Sequence, residues 1–333
     1  MGVVNKMKFD EKYYIEKASE EELESLDWSY LCDFNLTEHF IKKFKNKIYW
    51  KGLLLNQIYS EQLLDSCSDF IDFDLLAYKQ IVSESFIEKY ADRFSWYGWL
   101  TISAKQNLSE SFIEKYLDRV CWTNIASNQK LSEEFIKKYK AVLPSEYIFR
   151  FQKISESFIE QNPEYANWFV ISKFQKLSES FIEKHFSKLD KYNISKYQKL
   201  SDKFIQKYKD ELFMNVIDDS WHYKSADFKK QKIIETNLYN ECYDDFFIGY
   251  KGIRLNRYSK YNFQYKYEKG GVYESWSDVS NEENSFGLSV WTESLAREYC
   301  DELVVRVKVK YEDVARIIHE GGKIRCFKIE ILD

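Results

Sequence analysis

Proline and glycine are scarce in this sequence of 333 residues, which contains 2 prolines and 10 glycines. Together they make up about 4% of the chain, against roughly 12% in average proteins. This scarcity excludes a collagen-like or Pro/Gly-rich disordered chain, and it argues against an all-β sandwich, which needs frequent turn signals. Aromatic residues make up 18% of the chain, too many for a disordered protein. We therefore expect a helix-rich protein held together by aromatic packing, and the length favours two domains.

An excess of charge of one sign is also lacking, because 49 basic residues stand against 54 acidic ones, for a net charge of -5. Nucleic-acid binding depends on a basic surface, so we do not expect a nucleic-acid partner. No apolar run reaches the length of about 18 residues that a membrane span requires. Met1 to Lys12 also lack the apolar segment of a secretory signal, so we expect a cytoplasmic protein without a membrane span.

The sequence shows no cysteine or histidine pattern of a metal or disulfide site. The cysteines are widely spaced without a C-x-x-C motif, which is typical of reduced, mostly buried thiols in a cytosolic protein. The histidines stand apart, so we expect no zinc site, and no phosphate-loop, H-E-x-x-H or G-x-S-x-G motif occurs. The residues concerned are Cys32, Cys67, Cys121, Cys242, Cys300 and Cys326, with His39, His185, His222 and His319.

An internal repeat organises residues 28–212. A segment of the type Leu-Ser-Glu-Ser-Phe occurs eight times, and its last residue recurs at intervals of 23, 23, 26, 23, 23, 23 and 23. The copies end at Phe40, Leu63, Phe86, Phe112, Phe135, Phe158, Phe181 and Phe204. The longer interval reveals a three-residue insertion near residues 96–107. Repeats of this regularity predict stacked units that share one core.

Each copy predicts two short helices. In the fifth copy Ser132 is a good N-cap, and Glu133 and Glu134 follow where the helix dipole favours negative charge. Trp122 to Gln129 fit a second short helix, with Trp122 and Ile125 as its buried positions. Aromatic residues recur there in other copies, and we interpret this row as core and not as a platform for stacking bases. The row consists of Trp28, Trp50, Phe73, Trp96, Trp122 and Trp168, with Tyr192 nearby.

One glutamine recurs two residues before the start of the segment in seven of the eight copies. The interpretation we favour is a structural ladder in which the amides bond backbone groups at the turn between helices. The alternative is a row of ligand-binding amides. The residues are Gln57, Gln80, Gln106, Gln129, Gln152, Gln175 and Gln198.

From residue 246 the pattern becomes strand-like, and seven of the ten glycines lie in this part. We predict strands over 247–253, 262–273 with a glycine turn, 287–292 and 303–311, a helix from Glu293 to Cys300 capped by Thr292, a short helix over 312–318 and a last strand over 324–332. The predicted fold is an α-solenoid of short two-helix repeats followed by a small α+β domain. We expect an N-terminal cap over 1–27, the eight repeats over 28–212, a degenerate capping repeat or linker over 213–245 and the α+β domain over 246–333.

The Ser-Glu-Ser-Phe-Ile-Glu-Lys-Tyr repeat resembles short repeats of bacteriophage and large-virus proteins. This resemblance covers residues 28–212 and implies a surface that binds another macromolecule. It makes a host protein the expected partner, and a defence component of the host a plausible one. The first functional hypothesis is therefore an interaction protein that acts in the host cell, such as a counter-defence inhibitor.

The last region carries a second resemblance. The segments from Phe263 to Tyr273 and from Gly287 to Tyr299 look like uncharacterised domains at the ends of phage and bacterial repeat proteins. More distantly, Tyr250-Lys-Gly252 and the segment from Gly287 are similar to two landmarks of ADP-ribosyltransferase folds. In that family an Arg or His on the first strand holds NAD, and a glutamate on a later strand polarises the ribose hydroxyl.

The ADP-ribosyltransferase resemblance implies a site in the last region. It assigns NAD binding to Tyr250, Lys251, Gly252 and Trp291, and catalysis to Lys251, Ser289, Thr292 and Glu330. Lys251 departs from the family pattern, because lysine lacks the bidentate fork of arginine. Two alternatives follow. One is a degenerate domain that serves as a binding or structural module and needs no cofactor. The other is an active mono-ADP-ribosyltransferase that uses NAD and whose solenoid selects the target protein.

Overall fold

The computed structural model describes residues 9–260 and 265–333, and the predicted N-terminal cap and 262–273 strand segment lie partly outside these ranges. The chain divides into two compact units, Met1–Cys121 and Trp122–Asp333. The predicted order of a helical region followed by a sheet region is confirmed, because nineteen α-helices of the described residues precede the first strand. The predicted boundary at 245/246 lies inside the second unit.

The first unit contains nine α-helices among its described residues. They are α1 (Glu11–Glu16), α2 (Glu20–Ser25), α3 (Glu38–Lys43), α4 (Trp50–Asn56), α5 (Glu61–Ser66), α6 (Phe73–Lys79), α7 (Glu84–Lys89), α8 (Trp96–Lys105) and α9 (Glu110–Lys115). Helices α4, α6 and α8 pack side by side in this order.

The second unit contains eleven α-helices among its described residues. They are α10 (Trp122–Asn128), α11 (Glu133–Tyr139), α12 (Ser145–Phe151), α13 (Glu156–Gln161), α14 (Trp168–Phe174), α15 (Glu179–Lys184), α16 (Lys191–Tyr197), α17 (Asp202–Lys207), α18 (Met214–Asp219), α19 (Ala226–Glu235) and α20 (Glu293–Tyr299). The even-numbered helices α10 to α18 are the second helices of the copies, and they pack against one another in succession.

Each copy begins with a residue that caps its first helix, Thr37 in the first copy and a serine in the others. Ser178 Oγ accepts a hydrogen bond from the Phe181 amide, which satisfies a donor of the first turn of α15. The carboxylate of Glu156, one copy earlier, accepts from both the amide and the hydroxyl of Ser178. The pairs Glu61–Ser83, Glu84–Ser109, Glu133–Ser155 and Glu179–Ser201 repeat this arrangement. In these five pairs the helix start is tied to the copy before it.

The three-residue insertion lies at the start of α8 and changes which tryptophan is buried. We expected Trp96 in the buried row, and this was wrong: its side chain is 77% exposed, whereas Trp99 is 3% exposed. Trp99 stands seven residues before Gln106, the spacing that separates Trp122 from Gln129 and places Trp99 at the repeat position. The extra residues lengthen α8 by about one turn at its N-terminus. Trp122 in the second unit is half-buried.

The second unit ends in an antiparallel sheet that has seven strands among the described residues. Its strands are β1 (Phe246–Ile253), β2 (Val272–Glu274), β3 (Leu288–Trp291), β4 (Leu303–Lys310), β5 (Val314–Ile318), β6 (Lys323–Cys326) and β7 (Lys328–Ile331). The strand order is β2-β7-β4-β1-β3-β6-β5. One face carries Phe247, Val305 and Ile324, which belong to a core completed by Trp221 and by Ile233 of α19.

Two sequence predictions for this region were wrong. Residues 312–318 were predicted as a helix, but a single 3-10 turn leads into β5, whose β-branched residues pair with β6. The predicted last strand is interrupted at Phe327, so that β6 pairs with β3 and β5 whereas β7 pairs with β2 and β4. The Phe327 amide donates instead to the carbonyl of Asp313, and its carbonyl accepts from Ser275.

No helix in the described ranges is both long enough and apolar enough to cross a membrane.

Candidate interaction surface

Lys251, the residue expected to contact NAD, lies inside the sheet region and has a structural partner. Its Nζ donates to the Ser289 carbonyl at 2.8 Å and lies 4.9 and 5.1 Å from the ring centres of Tyr267 and Trp291. Burial lowers the pKa of Lys251 to about 8, and the side chain is only 5% exposed. The ammonium therefore contributes to packing between strands and is not presented to a ligand.

Glu330, expected as the catalytic glutamate, lies on the opposite face of the sheet from Lys251. Lys251 pairs with Val305 of β4, whereas Glu330 pairs with Lys308 of the same strand. Val305 and Lys308 are three residues apart, so their side chains project from opposite faces. The Glu330 carboxylate lies 3.5 Å from the Lys308 ammonium. The structure therefore does not bring Lys251 and Glu330 together.

Gly252 gives close packing between β1 and α20. A Cβ at this position would lie 2.3 Å from the carbonyl oxygen of Ala296 and 2.6 Å from that of Cys300. A side chain is thus excluded because the backbone of the helix approaches the strand here.

The other predicted residues hold the β3–α20 connection in place. Tyr250 is opposite Trp291, and the Trp291 ring stacks on Tyr299 of α20 at 4.5 Å. Thr292 occupies the N-cap position of α20 but makes no capping hydrogen bond with its side chain. Ser289 pairs with Arg325 and is buried. Of these residues, Trp291 packs α20 on the sheet through its contact with Tyr299.

The repeated glutamines bond the backbone of the preceding copy. Gln175 Nε2 donates to the carbonyls of Phe149 and Gln152 at 2.6 and 2.9 Å, and its Oε1 accepts from the Ile154 amide at 3.1 Å. Three backbone groups at the turn between helices are thereby satisfied. Gln80, Gln106, Gln152 and Gln198 make the same three bonds in their copies.

Gln57 and Gln129 are the first and fourth glutamines of the ladder. Gln57 donates only to the Leu36 carbonyl, at 3.3 Å, and its Oε1 has no hydrogen-bond partner among the described residues. Gln129 is fully buried, and its carbonyl accepts from Gln152.

His222 and Tyr223 replace the glutamine after the last copy. The Tyr223 hydroxyl accepts from the Leu200 amide, and His222 Nε2 lies 2.9 Å from the Tyr197 carbonyl, to which it must donate. The imidazole stacks against both Trp276 and Phe327, with ring centres 5.2 and 5.1 Å away, and these two rings also contact each other. Burial lowers the pKa of His222 to about 4, so the ring is neutral near pH 7.

Six basic side chains form a basic ridge at the ends of the second helices in three consecutive copies. The ridge consists of Arg150, Lys153, Lys173, Lys176, Lys196 and Lys199. In the first unit the residues at the same repeat positions are uncharged, namely Leu55, Ile58, Tyr78, Ile81, Ala104 and Asn107. Lys130, which follows Gln129, continues one row of these basic positions by one copy, so the basic residues at these two positions lie in the copies of the second unit.

Aromatic rings separate the cations of the basic ridge. The Arg150 guanidinium lies 5.2 Å from the ring centres of both Phe151 and Phe174. The Lys173 ammonium lies 5.3 Å from Phe174 and 5.0 Å from Tyr197, which belongs to the next copy. Cation–π contacts of this kind hold the charged groups in place on the surface.

Exposed aromatic side chains lie one turn before these cations. Phe169 precedes Lys173 by four residues, and Tyr192 precedes Lys196 by four, so each pair shares one face of its helix. Phe169 is 61% and Tyr192 43% exposed, which departs from the predicted burial of this part of the repeat. The outward face of α14 and α16 is thus aromatic at the first turn and basic at the last.

The β2–β3 loop, residues 275–287, covers part of the basic ridge. Its Glu282 carboxylate bridges the ammonium groups of Lys173 and Lys196 at 3.4 and 3.5 Å and accepts from the Tyr197 hydroxyl. Four residues later Phe286 packs against Phe174 at 4.8 Å and against Tyr197. An acidic and an aromatic side chain of the loop therefore each contact equivalent residues of two successive copies.

The shape of the β2–β3 loop depends on a fully buried arginine. The Arg325 guanidinium donates to the carbonyls of Asp278, Ser280 and Glu282, and it lies 3.6 Å from the Asp278 carboxylate. The same carboxylate accepts from the amide and hydroxyl of Ser280. Burial lowers the pKa of Arg325, but the adjacent carboxylates oppose this shift.

A polar cavity of about 260 Å³ lies where α16 and α18 meet the β2–β3 loop. Tyr192, Lys196, Asn215, Asp219, Asn281 and Arg316 line it. Arg316 is held by a hydrogen bond from Nε to the Asn281 side chain and by the Trp221 ring 5.2 Å away. The positive charges of Lys196 and Arg316 are balanced by the negative charges of Asp219 and the nearby Glu282, so the cavity has no excess of charge of one sign.

The basic ridge was not predicted, because the net charge of the whole chain does not show where basic residues cluster. A comparison of the repeat positions would have found it. Arg150, Lys173 and Lys196 share one position of the second helix, and Lys153, Lys176 and Lys199 each follow a ladder glutamine.

In comparisons with known proteins, no protein family, curated protein or solved structure matches the chain.

Proposed function

We propose that this chain is a protein-binding protein whose repeats form an α-solenoid and receive a segment of a partner protein. In this proposal the partner is a host protein, the setting is a bacteriophage infection, and the protein acts in the host cytoplasm as an antagonist of defence. The C-terminal region serves as a supporting module and not as a transferase.

One observation carries the proposal: Glu282 and Phe286 of the β2–β3 loop are seated on two successive copies. The second helices thus already hold a loop segment of the chain itself. Phe169 and Tyr192 leave the neighbouring face exposed, and large exposed aromatic side chains are common in protein interfaces. A surface made of repeated units can bind a longer segment, because each copy offers equivalent groups.

Affinity capture tests this proposal. The full chain is used as bait in host lysate, a protein that it retains is purified, and the pair is titrated by calorimetry. We expect a stoichiometric complex, and we expect Phe169→Ser with Tyr192→Ser to weaken it at least about tenfold, because exposed aromatic anchors supply much of the binding energy. Trp96→Ser, which removes an exposed aromatic side chain from the first unit, is the matched control.

Two results would overturn the proposal. One is the failure of the purified chain to form a stoichiometric complex with any captured protein. The other is transfer of label from NAD to a lysate protein that Glu330→Gln abolishes, since this would support the alternative transferase.

A further inference from the structure

We infer that the partner segment is acidic, and that it binds the exposed end of the basic ridge with a carboxylate and an aromatic side chain four residues apart. This inference rests on the proposed function and names the chemistry of its partner. The β2–β3 loop is its template, because Glu282 and Phe286 have this spacing.

Repeat equivalence locates the site at Arg150. Arg150 occupies the position of Lys173 and Lys196 one copy earlier, and Phe151 occupies that of Phe174 and Tyr197. Glu282 bridges the later two cations, whereas Arg150 is exposed and forms no ion pair with any described residue. One further cation and one further ring of the kind that hold the acidic side chain of the loop are thus present at Arg150 and Phe151, beside Lys173 and Phe174, which the loop already contacts.

The charge balance of the basic ridge favours the same occupant. Among the described residues, Glu282 supplies the only carboxylate within ion-pair distance of the six ridge cations. Lys153, Lys176 and Lys199 are exposed and have no ion pair with the described part of the chain. An acidic segment would neutralise these groups, and it would gain association rate as well as affinity from their field.

The apolar contacts favour a peptide over a nucleic acid. Phe286 packs at a tilt against Phe174, with ring planes at 58°, and the Arg150 guanidinium already covers that ring from one side. An aromatic side chain on a flexible peptide can adopt such a tilted contact, whereas base recognition by stacking requires an open ring face.

The test uses the full chain and a fluorescent synthetic peptide of residues 275–287 as the probe. We expect binding that weakens as salt increases, and we expect Arg150→Glu with Lys153→Glu to weaken it about tenfold or more. Lys137→Glu with Lys203→Glu makes the same change of charge on exposed first-helix positions and should alter affinity by less than about twofold. Glu282→Ala with Phe286→Ala in the chain should strengthen peptide binding, because it frees two further copies of the ridge.

Circular dichroism melts of each variant separate lost binding from lost folding. The inference is overturned if the peptide does not bind, if both charge-reversal pairs weaken it equally, or if a short oligouridine binds the ridge more tightly than the peptide. It is also overturned if the captured partner binds the Arg150→Glu, Lys153→Glu chain with unchanged affinity. In that last case the proposed function stands, whereas absence of any partner complex would remove the proposed function instead.

Discussion

The carboxylate of Glu282 lies 3.4 Å from the ammonium of Lys173, although 109 positions separate the two residues in the chain. This contact joins a loop of the sheet to the end of α14. The carboxylate also contacts Lys196, which stands 23 residues after Lys173. One loop residue therefore binds the equivalent position of two successive copies.

Arg325→Met should unfold the β2–β3 loop and destabilise the second unit. Removing one partner of a buried ion pair leaves Asp278 uncompensated and costs about 3–5 kcal/mol. Urea unfolding measures this loss, and Arg306→Met is the control, since Arg306 pairs with Glu241 near the surface and should cost about 1 kcal/mol or less. Equal losses for the two variants would show that Arg325 does not hold the loop.

Gln175→Ala should cost more stability than Gln57→Ala. The first substitution leaves two buried carbonyls and one amide without a partner, and each such group costs about 1–3 kcal/mol. Gln57 makes one long hydrogen bond, so its loss should cost about 1 kcal/mol. Denaturant unfolding compares the two free energies, and hydrogen exchange at Ile154 should rise only in the Gln175 variant. A ligand-binding role for the ladder would instead leave both free energies unchanged.

Trp99→Ala and Trp96→Ala should differ sharply, although the residues are in the same helix. Trp99 is buried in the core, where deletion of an aromatic side chain costs about 3–5 kcal/mol. Trp96 is exposed, and its replacement should change stability by about 0.5 kcal/mol or less. Thermal melts of the two variants provide the comparison. A large loss of stability in the Trp96→Ala variant would show that Trp96 is buried and that the insertion lies elsewhere in the copy.

His222 should make stability depend on pH below neutrality. Its pKa is about 4 in the folded chain because of burial, against 6.5 when exposed, so the unfolded chain binds the proton first. Stability is therefore complete above about pH 6.5 and falls as the pH is lowered toward 4, by up to about 3 kcal/mol at 1.36 kcal/mol per pKa unit.

His222→Gln provides the control for this pH dependence, because an amide can still donate to the Tyr197 carbonyl but does not titrate. Lys199, Lys229 and Asp278 also face the imidazole, and their charges should act alike in both proteins at these pH values. Unfolding free energies at pH 7 and pH 5 should therefore converge for the variant. An identical pH slope in both proteins would assign the effect to other groups.

Local periodicity made much of the fold predictable. The serine N-cap at Ser132, the strand over 303–310 and the helix that begins at Glu293 all follow from patterns within a few residues, and the structure confirms them. The segment Val314–Ile318 is ambiguous by itself, since a short apolar run suits a helix or a strand. Pairing with β6, a distant neighbour in space, decides its state.

The candidate surface was less predictable, because it depends on differences between copies and on a distant loop. The averaged charge of the chain hides the row that contains Arg150, Lys173 and Lys196. The residue pattern placed Lys251 and Glu330 on strands, but a strand position does not reveal the face from which a side chain projects until the register is known.

The paired hydrogen bonds from a helix-start serine to the glutamate one copy earlier, which recur in five pairs of copies, have an evolutionary consequence. Glu133 binds Ser155 and Glu156 binds Ser178 with the same two contacts. Every join between such neighbours is chemically identical, so a gene duplication or deletion of 23 codons creates a new join from residues that already fit. The array can therefore change length in whole copies, whereas a change of any other size must be absorbed locally, as in the lengthened helix that presents Trp96.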